Sequence, residues 1–179
     1  MSETFPTGQR VAVAPDTSPL WVGDAVRDGG GEVVEPSHAQ ALVWTDPKDA
    51  QGLEAVLSQY THLEWVQVPF AGVENFIHLI DDSRVWTCGK GVEAEPVAEH
   101  ALALMLAGMR HIVGYARETT WSAPRGLNVL GARVTILGGG GITESLLRLL
   151  QPFGCHITVV RSNVEHIDGA SDVVGPEHL

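Results

Sequence analysis

The sequence predicts an α/β protein whose strands run parallel in two successive units. Three observations carry that reading: short β-branched runs alternate with helix-sized segments through the first hundred residues, the texture changes at Pro96, and a second strand–glycine–helix–strand series follows. Arg10–Ala14 reads as the first strand, broken by Pro15 and Asp16. Ser18–Arg27 reads as a helix stopped by Gly29, Gly30 and Gly31, which no helix interior tolerates. Glu32–Val34 and Ala41–Trp44 are the next expected strands. Pro47 opens an expected helix to about Gln59, with Leu53, Val56 and Leu57 on one face. Leu63–Val68 is expected as a strand, Val73–Ile80 as a helix and Val85–Thr87 as a fifth strand.

Beyond Pro96, which suits a first helical turn, Val97–Tyr115 runs nearly twenty residues with only Gly108 as a breaker. Its segment Ala101–Ala107 is apolar all round, so the expectation is a helix buried on every side, between domains or subunits. Thr119–Asn128 is a turn-rich connector. The second series is strand Arg133–Leu137, a glycine cluster, helix Thr143–Leu150 and strand His156–Val160, with Asp172–Val174 as a short further strand. The expected division is a first domain over 1–95 and a second over 96–179.

Composition narrows the function. Hydrophobic residues make up 44% of the 179 and charged residues 18%, enough apolar material for packed cores. Eleven Lys and Arg stand against 22 Asp and Glu, a formal net charge of -11. A polyanion would be repelled, which argues against nucleic acid and anionic membranes as partners. A small anionic ligand needs only a local pocket of donors and stays open. No apolar run reaches a bilayer span, and Met1–Pro6 carries no basic-then-apolar signal. Cys88 and Cys155 form neither a CxxC nor a metal spacing, so no metal site is expected, and a reduced, cytoplasmic setting is.

The glycine cluster is the most informative stretch. An apolar strand, Val134–Leu137, runs into Gly138-Gly139-Gly140-Gly141-Ile142-Thr143, and a helix with Leu146, Leu147 and Leu150 inward follows. The pattern G-x-G-x-x-G/A falls on Gly138, Gly140 and Thr143. Gly138 permits the tight turn, and Gly140 lets the backbone approach a pyrophosphate at the helix N-terminus. Gly141, Ile142 and Thr143 complete the expected cofactor loop, with Thr143 departing from the small residue of the pattern. The alternative is a glycine-rich turn that holds no ligand. The acidic residue that would bond a ribose 2′-hydroxyl is missing; Arg161 stands there, 23 positions after Gly138, followed by Ser162 and Asn163. A guanidinium with adjacent donors suits a 2′-phosphate, so NADP(H) is expected, with NAD(H) as the alternative.

Four blocks together resemble the D-isomer-specific 2-hydroxyacid dehydrogenases: Leu63–Glu74, Gly91–Leu102, the loop Gly138–Thr143, and Pro152–Arg161. The resemblance runs from about Arg10 and implies a flavodoxin-like parallel-sheet substrate domain followed by a Rossmann dinucleotide-binding domain, here incomplete. It implies an NAD(P)-dependent oxidoreductase of D-2-hydroxy acids or 2-keto acids. It also implies that Ala71, Gly72 and Val73 turn backbone amides toward the carboxylate of a small 2-keto or 2-hydroxy acid. The expected helix after that loop would add its dipole. Lys90, in another such loop, adds positive charge or is simply solvated. A homodimer on the long helix and an arm containing Trp121 is a further implication.

The family's catalytic histidine, glutamate and arginine lie beyond the matched region, so no catalytic residue is assigned; His100, beside Glu99, falls in the helix block. The expectation is a chain inactive by itself, whether shortened or proteolysed, a degenerate gene product, or completed by a partner. The alternative function is a nucleotide-binding regulatory or interaction protein on the same scaffold. A third reading is a flavodoxin-like binding domain with a vestigial glycine loop.

Overall fold

A computed structural model describes residues 8–179; Met1–Pro6 lies outside the described residues. The chain divides into two compact units, one ending at Val92 and the other running Glu93–Leu179.

The first unit holds strands β1 (Arg10–Ala14), β2 (Glu32–Val33), β3 (Ala41–Trp44), β4 (Trp65–Val68) and β5 (Val85–Cys88), with helices α1 (Leu20–Asp28) and α2 (Ala50–Gln59). All neighbouring strands pair parallel, in the order β2-β1-β3-β4-β5. That 2-1-3-4-5 order is the flavodoxin-like one. The runs that read as strands do so because their residues are buried: Ala12, Leu42, Val66 and Val68 are each at most 1% exposed. α1 closes on the glycine triplet, where the Gly29 and Gly31 amides donate to the Ala25 and Val26 carbonyls. α2 begins at Ala50 rather than Pro47, because the Asp49 carboxylate accepts from the Gly52 amide at 2.8 Å and caps the helix there. Leu53 and Leu57 bring its inner face to the core of Leu42, Trp44, Leu63 and Val66.

The expected helix Val73–Ile80 is not formed. Its backbone closes only three-residue turns, Phe76 N–H to Val73 O at 2.9 Å and Leu79 N–H to Phe76 O at 2.8 Å. Here packing one aromatic, Phe76 (1% exposed), against the core anchors the segment while Ile77 stays in solvent.

The second unit contains α3 (Ala94–Met109), α4 (Ile112–Tyr115), β6 (Arg133–Leu137), α5 (Gly141–Leu150), β7 (His156–Val160) and β8 (Asp172–Val174). Its sheet is parallel in the order β6-β7-β8, with β7 central and most buried. The single helix expected over Val97–Tyr115 is instead two pieces. The chain breaks at His111, which takes a left-handed conformation (φ 56°). The returning connector supplies the reason: the Leu127 amide caps the Met109 carbonyl at 2.6 Å, and Arg110 Nη1 donates to Asn128 Oδ1 at 2.6 Å. Within the single chain α3 buries one face. Leu102, Met105, Leu106 and Met109, spaced as one helix face, pack against the core of Val129, Leu147, Leu150, Ile157 and Val159. Leu104 is 60% exposed.

Candidate functional site

β6 ends where the turn needs a residue no L side chain favours: Gly138 has φ +97°. Its amide donates to the Val160 carbonyl at 2.8 Å, tying the turn to the carboxyl end of β7. Gly140 follows in extended backbone, and α5 starts at Gly141 with no side chain capping it. The internal ladder of α5 opens with the Glu144 amide on the Gly140 carbonyl. The amides of Gly141, Ile142 and Thr143 therefore lie ahead of the ladder, at the positive end of the helix dipole. A Cβ on Gly140 would meet nothing within 4 Å, so the space over the turn is open. Thr143 is 6% exposed, and its hydroxyl donates to the Gly138 carbonyl at 2.9 Å. It sits at the helix–strand contact with its polar atom satisfied inside the turn, which accounts for a threonine where the pattern has glycine or alanine.

Arg161 leaves β7 beside this turn. Its backbone amide joins the Val174 carbonyl of β8, and its Nη1 donates to the Gly139 carbonyl at 3.3 Å. Among the described residues no carboxylate pairs with it. Ser162 is exposed next to it, whereas Asn163 is turned away onto Glu165 at 2.8 Å. The structure thus brings Arg161 to the glycine turn, keeps Ser162 adjacent and engages Asn163 elsewhere.

The loop after β4 is built differently. Phe70 is left-handed (φ 60°) and 59% exposed, and its carbonyl accepts from the Gly89 amide at 2.6 Å, so the exits of β4 and β5 are joined. A Cβ on Gly89 would stand 3.2 Å from the Phe70 carbonyl, a close backbone approach that nothing in the sequence announces. Among the described residues the amides of Ala71, Gly72 and Val73 donate to no protein atom, and all three face solvent wholly or partly. No helix follows, so the dipole expected at this loop is absent. The Glu74 carboxylate oxygen lies 2.6 Å from where a Cβ on Gly72 would stand. Lys90 is exposed beyond β5. His100 lies exposed on α3, and no group of three or more potential metal ligands occurs among the described residues. No helix among them is long and apolar enough to cross a membrane.

No family model matches the chain. An uncharacterized protein in the proB 3'region of Corynebacterium melassecola is 28% identical over 119 residues, covering 62% of this chain and 39% of that protein. A D-isomer-specific 2-hydroxyacid dehydrogenase family structure from Aeromonas salmonicida superimposes with a TM-score of 0.78 at 15% identity, covering 96% of this chain and 59% of that one. The D-isomer-specific 2-hydroxyacid dehydrogenase of Xanthobacter autotrophicus, solved with NADPH and MES, gives 0.73 at 16% identity over 97% and 59%. The chain spans about two fifths of the curated relative it matches and about three fifths of these solved structures. Over nearly its whole length, this chain has the fold of the D-isomer-specific 2-hydroxyacid dehydrogenases.

Proposed function

We propose that the chain forms the substrate domain (1–95) and the first part of the coenzyme domain (96–179) of an NAD(P)-dependent 2-hydroxyacid dehydrogenase or 2-ketoacid reductase. The observation that carries this reading is the uncapped start of α5 over the open glycine turn, with Arg161 beside it and, among the described residues, on no carboxylate. Free amides at a helix N-terminus suit a pyrophosphate. In this reading Gly138, Gly140, Gly141, Ile142 and Thr143 hold the dinucleotide, and Arg161 with Ser162 takes the 2′-phosphate of NADP(H). The free amides of Ala71, Gly72 and Val73 take the substrate carboxylate. No residue of the chain is assigned to proton transfer.

When bound, the cofactor would give hydride to a 2-keto acid in its reduced form or take it from a 2-hydroxy acid in its oxidised form; this chain's residues bind and orient. Arg161 leaves NAD(H) as the alternative cofactor if its guanidinium finds no phosphate. Titrating the purified chain with NADPH and NADH, followed by nucleotide fluorescence, tests the reading. NADPH should bind more tightly, and equal affinities or no binding of either would refute it. The regulatory reading, binding without chemistry, predicts the same titration but a complete gene product without keto-acid turnover.

The partially bare α3 supports a homodimer seated on Leu104 and the fully exposed Trp121. Leu104→Glu should convert a dimer to a monomer in sedimentation, and a wild-type monomer would remove this part of the proposal. Both cysteines are free, which suits the reduced, cytoplasmic setting proposed for the protein.

A further inference from the structure

The glycine turn is shaped to receive Arg161. A Cβ built on Gly139 would lie 2.5 Å from Arg161 Cδ, 3.1 Å from its Nη1 and 3.0 Å from Ile167 Cδ1. The same residue's carbonyl accepts the guanidinium at 3.3 Å. A Cβ on Gly138 or Gly140 would meet nothing within 4 Å, so the demand for empty space belongs to position 139 alone. It is set chiefly by the arginine stem lying across the turn.

We propose that Gly139 is a positioning residue for 2′-phosphate recognition: it gives the Arg161 stem a flat seat and fixes the guanidinium through its carbonyl. This deepens the NADP(H) reading and rests on it. An arginine at a strand end ordinarily loses rotamer freedom when it grips a ligand. Here the stem is already seated against a neutral group. Among the described residues no carboxylate competes for its charge, and the remaining N–H donors are left for a phosphate.

The purified 179-residue chain, titrated calorimetrically with ADP-ribose and with its 2′-phosphorylated form, separates the two claims. The wild type should prefer the phosphorylated form by about tenfold or more, the range of a charge-assisted contact. Gly139→Ala should lower that preference, as should Arg161→Ala, and the double variant should lose little beyond either alone. A thermal melt adds a readout independent of ligand. If the new methyl strains against the arginine stem, Gly139→Ala lowers the melting temperature and adding Arg161→Ala restores much of the loss. Purely additive losses contradict the seat. A preference lost in Arg161→Ala but kept in Gly139→Ala overturns the role of Gly139 and leaves the cofactor reading intact. A preference kept in Arg161→Ala, or no binding of either nucleotide by the wild type, overturns the cofactor reading and this inference with it.

Discussion

The two candidate loops both leave the carboxyl end of a parallel strand, yet they are built on different physics. The turn after β6 runs straight into α5, so its amides are aligned by a helix and reinforced by its dipole. The loop after β4 runs into turns pinned by Phe76, so its amides are free but not aligned by a helix. The first arrangement suits a doubly charged pyrophosphate held from one end. The second suits a single carboxylate approached by a few N–H groups, and binding there should be weaker. In each case a strand exit supplies the position; only in the second unit does a helix supply field as well.

The two loops differ most in the side chains that anchor them. Phe76→Ala should cost about 3–5 kcal/mol and Leu150→Ala about 2–5 kcal/mol, since both side chains are at most 1% exposed. Chemical denaturation measures the losses. If the loop after β4 relies on Phe76, that variant should also increase hydrogen exchange across Ala71–Val73, whereas Leu150→Ala should not. Arg161→Asp comes next. Replacing a charge-assisted phosphate contact with a repulsive carboxylate should move the NADPH-over-NADH preference by roughly ten- to a hundredfold, about 1.5–3 kcal/mol. A smaller effect is expected of Gly138→Ala, which forces a side chain into φ +97° and should cost about 1–2 kcal/mol of stability.

The smallest concerns Gly72. It is exposed, outside the left-handed region, and a Cβ there meets only the far end of Glu74. Gly72→Ala should therefore change stability by no more than about 0.5 kcal/mol. In an enzyme competent for turnover, Gly72→Val should raise KM for 2-keto acids while cofactor affinity holds. A marked loss of stability in either variant would make Gly72 a folding residue and remove the substrate assignment.

Much of this architecture is legible in the sequence. The bounds expected for β1, β3, β6, β7 and β8 coincide with those observed, because each is a short run rich in β-branched and other apolar residues bounded by turn residues. The glycine turn is legible for a related reason: strand, glycines and helix follow one another with nothing between. Three features are not. The turn segment around Phe76 carries helix-like spacing, but a single buried aromatic replaced a helical face. The break at His111 depends on Leu127 and Asn128, residues distant in sequence that take up the groups at the end of α3. The crowding at Gly139 comes from Arg161, 22 positions on, and from Ile167, and no local pattern encodes it.

In the proposed function the two loops bind different reactants, dinucleotide after β6 and keto acid after β4. Backbone amide chemical shifts of the chain, titrated separately with NADPH and with pyruvate as a small 2-keto acid, test it most directly. NADPH should move Gly140, Gly141, Ile142, Thr143, Arg161 and Ser162, and pyruvate should move Ala71, Gly72 and Val73. Shifts from both ligands at one loop, or from neither ligand at either, would overturn the division of binding between the two loops.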